Sequence, residues 1–316
     1  SDLANDLVKY IKNISPDYII FTNLPSAVYI DDIRIKYSQN IKFILIAHNV
    51  EYIVEKEFSR FGKNIFQKLY HYITKNKIKS FEKKVLNNVD FIICISKNDA
   101  IYFNNIYKIN KNKLFIIPFL YLFPKNLYNN NIYNKQKQII SFIGTMDWYP
   151  NIQGVIFFVK EVLPKLLKVF PNLEFYIVGR NPIKKLLKYK YKYPKNVIIT
   201  GSVEDVCEYY HMSDIIVIPI FIGSGTKVKV LEAIASGVPT VMTEFVAKDY
   251  SFNNKSLMIA NTVGEYIKKI TTLLNDKNIA KLVSEEQLLN YEYYTKTKKL
   301  EIKETLQKIF KSGLNT

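Results

Sequence analysis

Residues 214–241 read D-I-I-V-I-P-I-F-I-G-S-G-T-K-V-K-V-L-E-A-I-A-S-G-V-P-T-V. Ile215 to Ile220 is a short, apolar, β-branched run, the pattern of a strand buried on both faces of a parallel sheet. Gly223 and Gly225 then permit a tight turn and a close approach of backbone to a ligand. Thr226 stands where it caps a helix, whose residues Val228, Leu231, Ala235 and Val230, Ile234 recur at helical spacing. Gly237 closes that helix, Pro239 blocks its continuation, and Val238 to Met242 starts another strand. A glycine turn that delivers a helix N-terminus aims free N–H groups and a positive dipole end at one spot, which suits a phosphate. Lys227 adds a charge there. By itself the turn is equally compatible with a plain compact connection, since glycine turns after strands are common. Glu232 shifts that balance. It sits on a helix otherwise facing a core, where a lone carboxylate is costly unless hydroxyls or cations meet it. A ribose diol held beside a diphosphate is one natural partner.

With 316 residues and 48% hydrophobic content, the chain has material for two domains. No apolar run approaches the length of a bilayer span, and no signal-peptide pattern opens the chain. Cys94, inside F-I-I-C-I, reads as a buried reduced thiol of a cytosolic protein. Three histidines and two scattered cysteines give no metal-ligand spacing, so neither structural nor catalytic zinc is expected. The net charge of +17 suits phosphorylated donors or an anionic membrane surface. It does not make a nucleic-acid binder: arginine occurs only at Arg34, Arg60 and Arg180, and no recognisable module accompanies the lysines.

The chain alternates helix and strand, which predicts parallel α/β sheets. Helices are expected over Leu3–Ile14 and Ala27–Tyr37, and strands over Tyr18–Thr22 and Ile41–Ala47. That second strand delivers His48, Asn49 and Glu51 to its carboxyl end, the ligand-binding edge of open α/β sheets. Glu55–Leu86 reads as a long helix rich in lysine and aromatics, either packed on its own domain or resting on anionic lipid. Strands follow at Asp90–Ser96 and Lys113–Pro118. Lys125–Gln138 is a polar, Asn-rich linker. Beyond it come a strand at Ile139–Ile143 ending in Gly144-Thr145, a helix over Gln153–Leu167, a strand at Leu173–Val178 ending in Gly179-Arg180, and one at Val197–Thr200 ending in Gly201-Ser202-Val203. Glu204, Asp205 and Glu208 start a helix favourably for its dipole. Glu265–Asn275, Ile279–Asn290 and Tyr293–Phe310 read as three closing helices.

The stretch G-S-G-T-K-V-K-V-L-E-A-I-A-S-G-V-P-T-V resembles the donor-site segment of family 4-like retaining glycosyltransferases, the glycosyltransferase group 1 set with the GT-B fold. F-I-G-T-M-D-W-Y-P-N (142–151), F-Y-I-V-G-R (175–180), I-I-T-G-S-V-E-D-V (198–206), I-L-I-A-H-N-V-E-Y (44–52) and F-E-K-K-V-L-N-N-V-D-F-I-I-C-I-S-K-N-D (81–99) resemble further segments of that family in the same order. The resemblance implies two Rossmann-like domains with parallel sheets facing a central cleft. Residues 1–122 form the acceptor-side domain, without the family's first strand and glycine-rich loop, as from a trimmed N-terminus. Residues 123–138 link it to a nucleotide-sugar domain at 139–290, and 291–316 form a helix crossing back, with Ile302, Leu306 and Phe310 supplying the contact. It also implies hexose transfer, with retention, from a UDP- or GDP-linked sugar to a saccharide or lipid-linked acceptor, without an essential metal. Such an enzyme works in the cytoplasm, peripheral on the inner face of the membrane, in polysaccharide or glycoconjugate synthesis. On this resemblance His48 faces the donor sugar and Glu232 holds the ribose. Gly144, Thr145, Arg180, Gly201, Ser202, Val203, Gly223, Ser224, Gly225, Thr226 and Lys227 surround the nucleotide and diphosphate.

The sequence departs from the family at two points. Many relatives carry a second glutamate eight residues before the one matching Glu232; here that position is Ser224. Relatives also often place an arginine and a lysine after the first C-terminal strand, where this chain has Thr145 and Met146. The alternative reading is a catalytically silent nucleotide-sugar or membrane-binding partner of a transferase. A nonhydrolysing epimerase or a phosphorylase is a further rival on related folds, the epimerase lacking its carboxylate and histidine set here.

Overall fold

Strands form where β-branched runs meet turn residues, and they assemble into two separate parallel sheets. The computed structural model of the chain describes residues 2–36, 41–61, 65–120, 138–223, 228–248, 250, 252 and 258–314. Among these, two compact units divide the chain: 1–119 with 298–316, and 120–223 with 227–297.

In the first unit, α1 (Asp2–Ile14) leads into β1 (Tyr18–Phe21). A 3-10 turn at Pro25–Tyr29 precedes α2 (Ile30–Lys36), so the expected single helix from Ala27 is two pieces. Next come β2 (Lys42–Ala47), α3 (Glu51–Phe61), α4 (Ile65–Asn88), β3 (Phe91–Cys94), α5 (Lys97–Tyr107) and β4 (Leu114–Ile116). The four strands pair in the order β1-β2-β3-β4, all parallel. Helices bury one face of this sheet through Phe43, Leu45, Ile92, Phe103 and Tyr107. On the other face, Ile44 and Ile93 pack against Ile309, which is fully buried.

Where one long helix is expected over Glu55–Leu86, the described residues form two helices, α3 to Phe61 and α4 from Ile65, and 62–64 lie outside them. The two pack together: Glu55 accepts from His71 at 2.8 Å and from the Thr74 hydroxyl at 2.9 Å, and the Phe58 and His71 rings stack at 5.0 Å.

The second unit contains β5 (Ile139–Ile143), α6 (Tyr149–Phe157), a π-helical turn (Phe158–Val162), α7 (Leu163–Leu166), β6 (Glu174–Val178) and α8 (Lys184–Lys192). It continues with β7 (Val197–Gly201), α9 (Cys207–Met212), β8 (Ile215–Ile218), α10 (Val228–Ala235), β9 (Thr240–Met242), α11 (Glu244–Ala247), β10 (Met258–Ile259) and α12 (Val263–Asn275). The π turn corrects the uninterrupted helix expected there. Pro164 has no N–H to give and its ring crowds the carbonyl four residues back, and the Leu163 N–H reaches Phe158 instead. Helix α9 begins three residues later than Glu204, with Asp205 accepting from the Cys207 N–H at 2.8 Å. Thr262 and Glu265 form a reciprocal capping box at the start of α12, worth about 1 kcal/mol. Every residue of β8 is buried, as its apolar run predicts.

Helix α13 (Lys277–Leu314) runs 38 residues without interruption, which corrects the two helices expected at Ile279–Asn290 and Tyr293–Phe310. Residues 291 and 292 are tyrosine and glutamate, and neither breaks a helix. The contact expected from Ile302, Leu306 and Phe310 centres on Ile309 instead, with the Phe310 ring edge-on to Tyr18 at 5.0 Å. The linker assigned to 123–138 lies outside the described residues up to 137.

Candidate functional site

The six strands of the second unit lie in the order β10-β9-β8-β5-β6-β7. The chain leaves β5 for β6 and β7 on one side, then returns to build β8, β9 and β10 on the other. The carboxyl ends of β5 and β8 therefore flank a topological switch point, where open parallel sheets bind ligands.

Three strand ends knit together beside it through backbone hydrogen bonds. The Gly144 N–H donates to Val178 at 2.8 Å, Met146 to Arg180 at 2.9 Å and Gly179 to Gly201 at 3.2 Å. At Gly179, with φ +147°, a Cβ would fall 2.1 Å from the Gly144 carbonyl oxygen, so only glycine fits. The candidates Gly144, Thr145, Arg180 and Gly201 share this edge. Ser202 is exposed and Val203 half-buried just beyond it. Arg180 is exposed and pairs with Asp147 at 3.5 Å, and Asp147 also accepts from Asn181 at 2.8 Å. From the β8 side comes Gly223, against Pro150. Ser224, Gly225, Thr226 and Lys227 lie outside the described residues.

Helix α10 carries Glu232 to the same place. The hydroxyl of buried Tyr210 donates to Glu232 at 3.3 Å. Burial raises the Glu232 pKa above the ordinary carboxylate range, while the Tyr210 hydrogen bond and the charge of Lys229 pull it back. Lys229 is a residue that the sequence reading passed over. Its ammonium donates to Asn151 Oδ1 at 2.6 Å and sits 4.7 Å from the centre of the Phe142 ring. Buried Asn151 is itself fixed, donating to the Thr145 carbonyl at 2.7 Å. Burial pushes the Lys229 pKa down to about 7, with Glu232 opposing. The signal was available: position 229 breaks the apolar pattern of V-K-V-L-E, three residues before Glu232, so both face one side of the helix.

In the first unit, His48 is exposed at the end of β2, its Nε2 2.9 Å from the Thr22 carbonyl. Glu51 opens α3, its pKa raised first by burial and next by Glu55. Buried Glu82 caps that helix, accepting from the N–H groups of Glu51 at 2.8 Å and Tyr52 at 3.3 Å, and from the Tyr107 hydroxyl. Sequence spacing gives no sign of this cap, because its partners lie about thirty residues apart. Among the described residues no group of His, Cys, Asp and Glu is arranged to hold a metal ion.

Residues 137–276 match the family described as Glycosyl transferases group 1. A curated relative, an uncharacterised 44.6 kDa protein in the cps region of Klebsiella pneumoniae, is 25% identical over 244 residues, 75% of this chain and 60% of its own length. The chain thus spans about three fifths of that relative. A glycosyltransferase from Rickettsia africae aligns over 98% of this chain and 80% of its own, at 19% identity and a TM-score of 0.68. Anabaena Alr3699/HepE, solved in complex with UDP, aligns over 98% and 82% at 14% identity and a TM-score of 0.72. These structural likenesses establish the fold as GT-B. The group 1 glycosyl transferase match falls within the second unit.

Proposed function

We propose that the protein transfers a hexose, with retention, from a UDP- or GDP-linked sugar to a saccharide or lipid-linked saccharide acceptor. The observation that carries this reading is the switch point of the second unit, where glycine strand ends, Glu232, Tyr210 and Lys229 converge within a group 1 segment. Glu232 takes the ribose hydroxyls, and the strand ends and α10 take the diphosphate. Electrostatic stabilisation of the departing diphosphate lowers the barrier, and a donor phosphate oxygen accepts the acceptor's proton on the same face, without an essential metal. His48 orients the sugar. The UDP bound by the Anabaena neighbour and the cps-region location of the Klebsiella relative favour a nucleotide sugar and polysaccharide synthesis.

The lipid-linked acceptor draws support from α4. Ile65, Phe66, Leu69, Tyr70, Tyr72 and Ile73 are between 54% and 80% exposed. At 100° per residue they span one arc of about 160°, and exposed Lys77 and Lys83 continue that arc. An apolar patch followed by lysines suits an anionic bilayer surface. No helix among the described residues is long and apolar enough to cross a membrane. We place the protein in the cytoplasm, at the inner membrane face.

Calorimetric titration with UDP and GDP, with and without magnesium, tests the reading. One nucleotide should bind in both buffers, and the Glu232→Ala variant should lose at least tenfold in affinity, about 1.4 kcal/mol, while keeping its melting temperature. A folded protein that binds neither nucleotide overturns it in favour of a silent partner.

A further inference from the structure

Phosphate ligands bring two or more negative charges, and the described cations at the switch point are few. Arg180 stands exposed and engaged with Asp147. Thr145 is neutral, and Met146 is fully buried in the core. Lys229 differs from both in place and in setting. It rises from the first turn of α10 past Gly144, where a Cβ would fall 2.5 Å from its nitrogen. Glycine at 144 therefore opens the passage through which the ammonium reaches the strand end.

An ammonium has three N–H donors. Among the described residues Asn151 Oδ1 takes one, and no carboxylate stands within ion-pair distance. The neighbours that Lys229 meets are an aromatic ring, an amide and a glycine. Glu232, on its own helix, is the charge that acts on it, and that carboxylate already accepts from Tyr210 on α9. Asp147 and Arg180, on the strand-end loops, pair with each other. A partly buried amine with so little compensation is expensive, and it is a poor choice for a purely structural hydrogen bond to an asparagine.

We propose that Lys229 is the cation that receives the donor's phosphate, and that it takes up a proton when the phosphate binds. The inference rests on the nucleotide-sugar reading. Proton uptake follows from the setting: burial lowers the pKa of the free amine to about 7, so at pH 8 most of it is neutral, and an arriving phosphate restores the charged form.

The test is calorimetry of the full chain at pH 8, where UDP and GDP carry ionised phosphates, in two buffers of different ionisation enthalpy. UDP, GDP, uridine and guanosine are the probes. The wild type should take up about one proton per bound nucleotide and none with the nucleoside. Lys229→Met should weaken the nucleotide tenfold or more, leave the nucleoside unchanged and abolish the uptake. Lys229→Arg, always charged, should retain most of the affinity without proton uptake, and it serves as the reading should the methionine variant fail to fold. Wild-type binding without proton uptake, or a methionine variant that still prefers nucleotide over nucleoside as the wild type does, overturns the role of Lys229 and leaves the donor site standing. A wild type that binds neither nucleotide overturns the donor site itself, and Lys229 with it.

Discussion

Glu232 and Gly179 show how differently two residues of one site answer to substitution. Glu232 is held by one hydroxyl at 3.3 Å and a through-space charge, so exchanging it should disturb packing little. Gly179 has no such tolerance. In Gly179→Ala the new Cβ meets a backbone carbonyl at 2.1 Å, and backbone is slow to yield. The expected cost is on the order of 3 kcal/mol, read as a lower denaturant midpoint with an unchanged slope. Both residues belong to stretches that the sequence marks by type: a glycine at a strand end, a carboxylate among apolar residues. Tyr210 and Asn151 carried no mark, because their roles come from what folding brings beside them.

At the scale of elements, α4 and α3 each support a measurement. The variant Ile65→Ser, Phe66→Ser, Leu69→Ser removes exposed side chains and should leave stability within about 0.5 kcal/mol. Co-sedimentation with phosphatidylglycerol vesicles should fall severalfold, while neutral phosphatidylcholine vesicles bind neither protein. Equal binding of variant and wild type would remove α4 from the membrane contact. For α3 the measure is pH. Burial raises Glu82 from its ordinary 4.5 to about 7, so the folded state holds a proton that the unfolded state releases. Stability is therefore greatest below about pH 4.5 as far as this group decides, and falls as pH rises toward 7. Glu82→Gln should flatten that slope in thermal melts run from pH 5 to 7.5. An unaltered slope would mean that the carboxylate is ionised throughout.

Across the whole molecule, the alternation of strand and helix was legible, and so were most of the strands, because β-branched runs between turn residues have few other uses. Boundaries set by backbone contacts were not. The π turn depends on how Pro164 meets the preceding turn, and the packing of α3 on α4 through Glu55, His71 and Thr74 leaves no mark in the apolar spacing. The 38 residues of α13 outran the periodicity, since its apolar side changes partner along its length. Charge is the other property of this scale. With +17 overall, association with anionic vesicles should weaken severalfold between about 50 and 300 mM salt. Insensitivity to salt would make the contact an apolar one alone.

Helix α13 has a consequence for anyone who recombines such genes. Its last portion belongs to the first unit, where Ile309 covers Ile44 and Ile93, so the first unit is encoded by two stretches separated by the second. A fragment ending at 119 would leave an oily sheet face bare and should aggregate on expression. Appending 298–316 through a flexible tether should restore its solubility. Exchanging the second unit between relatives accordingly takes two splice junctions, one upstream of β5 and one inside a helix, and chimeras made with the first alone would carry a mismatched patch under every strand of the first unit.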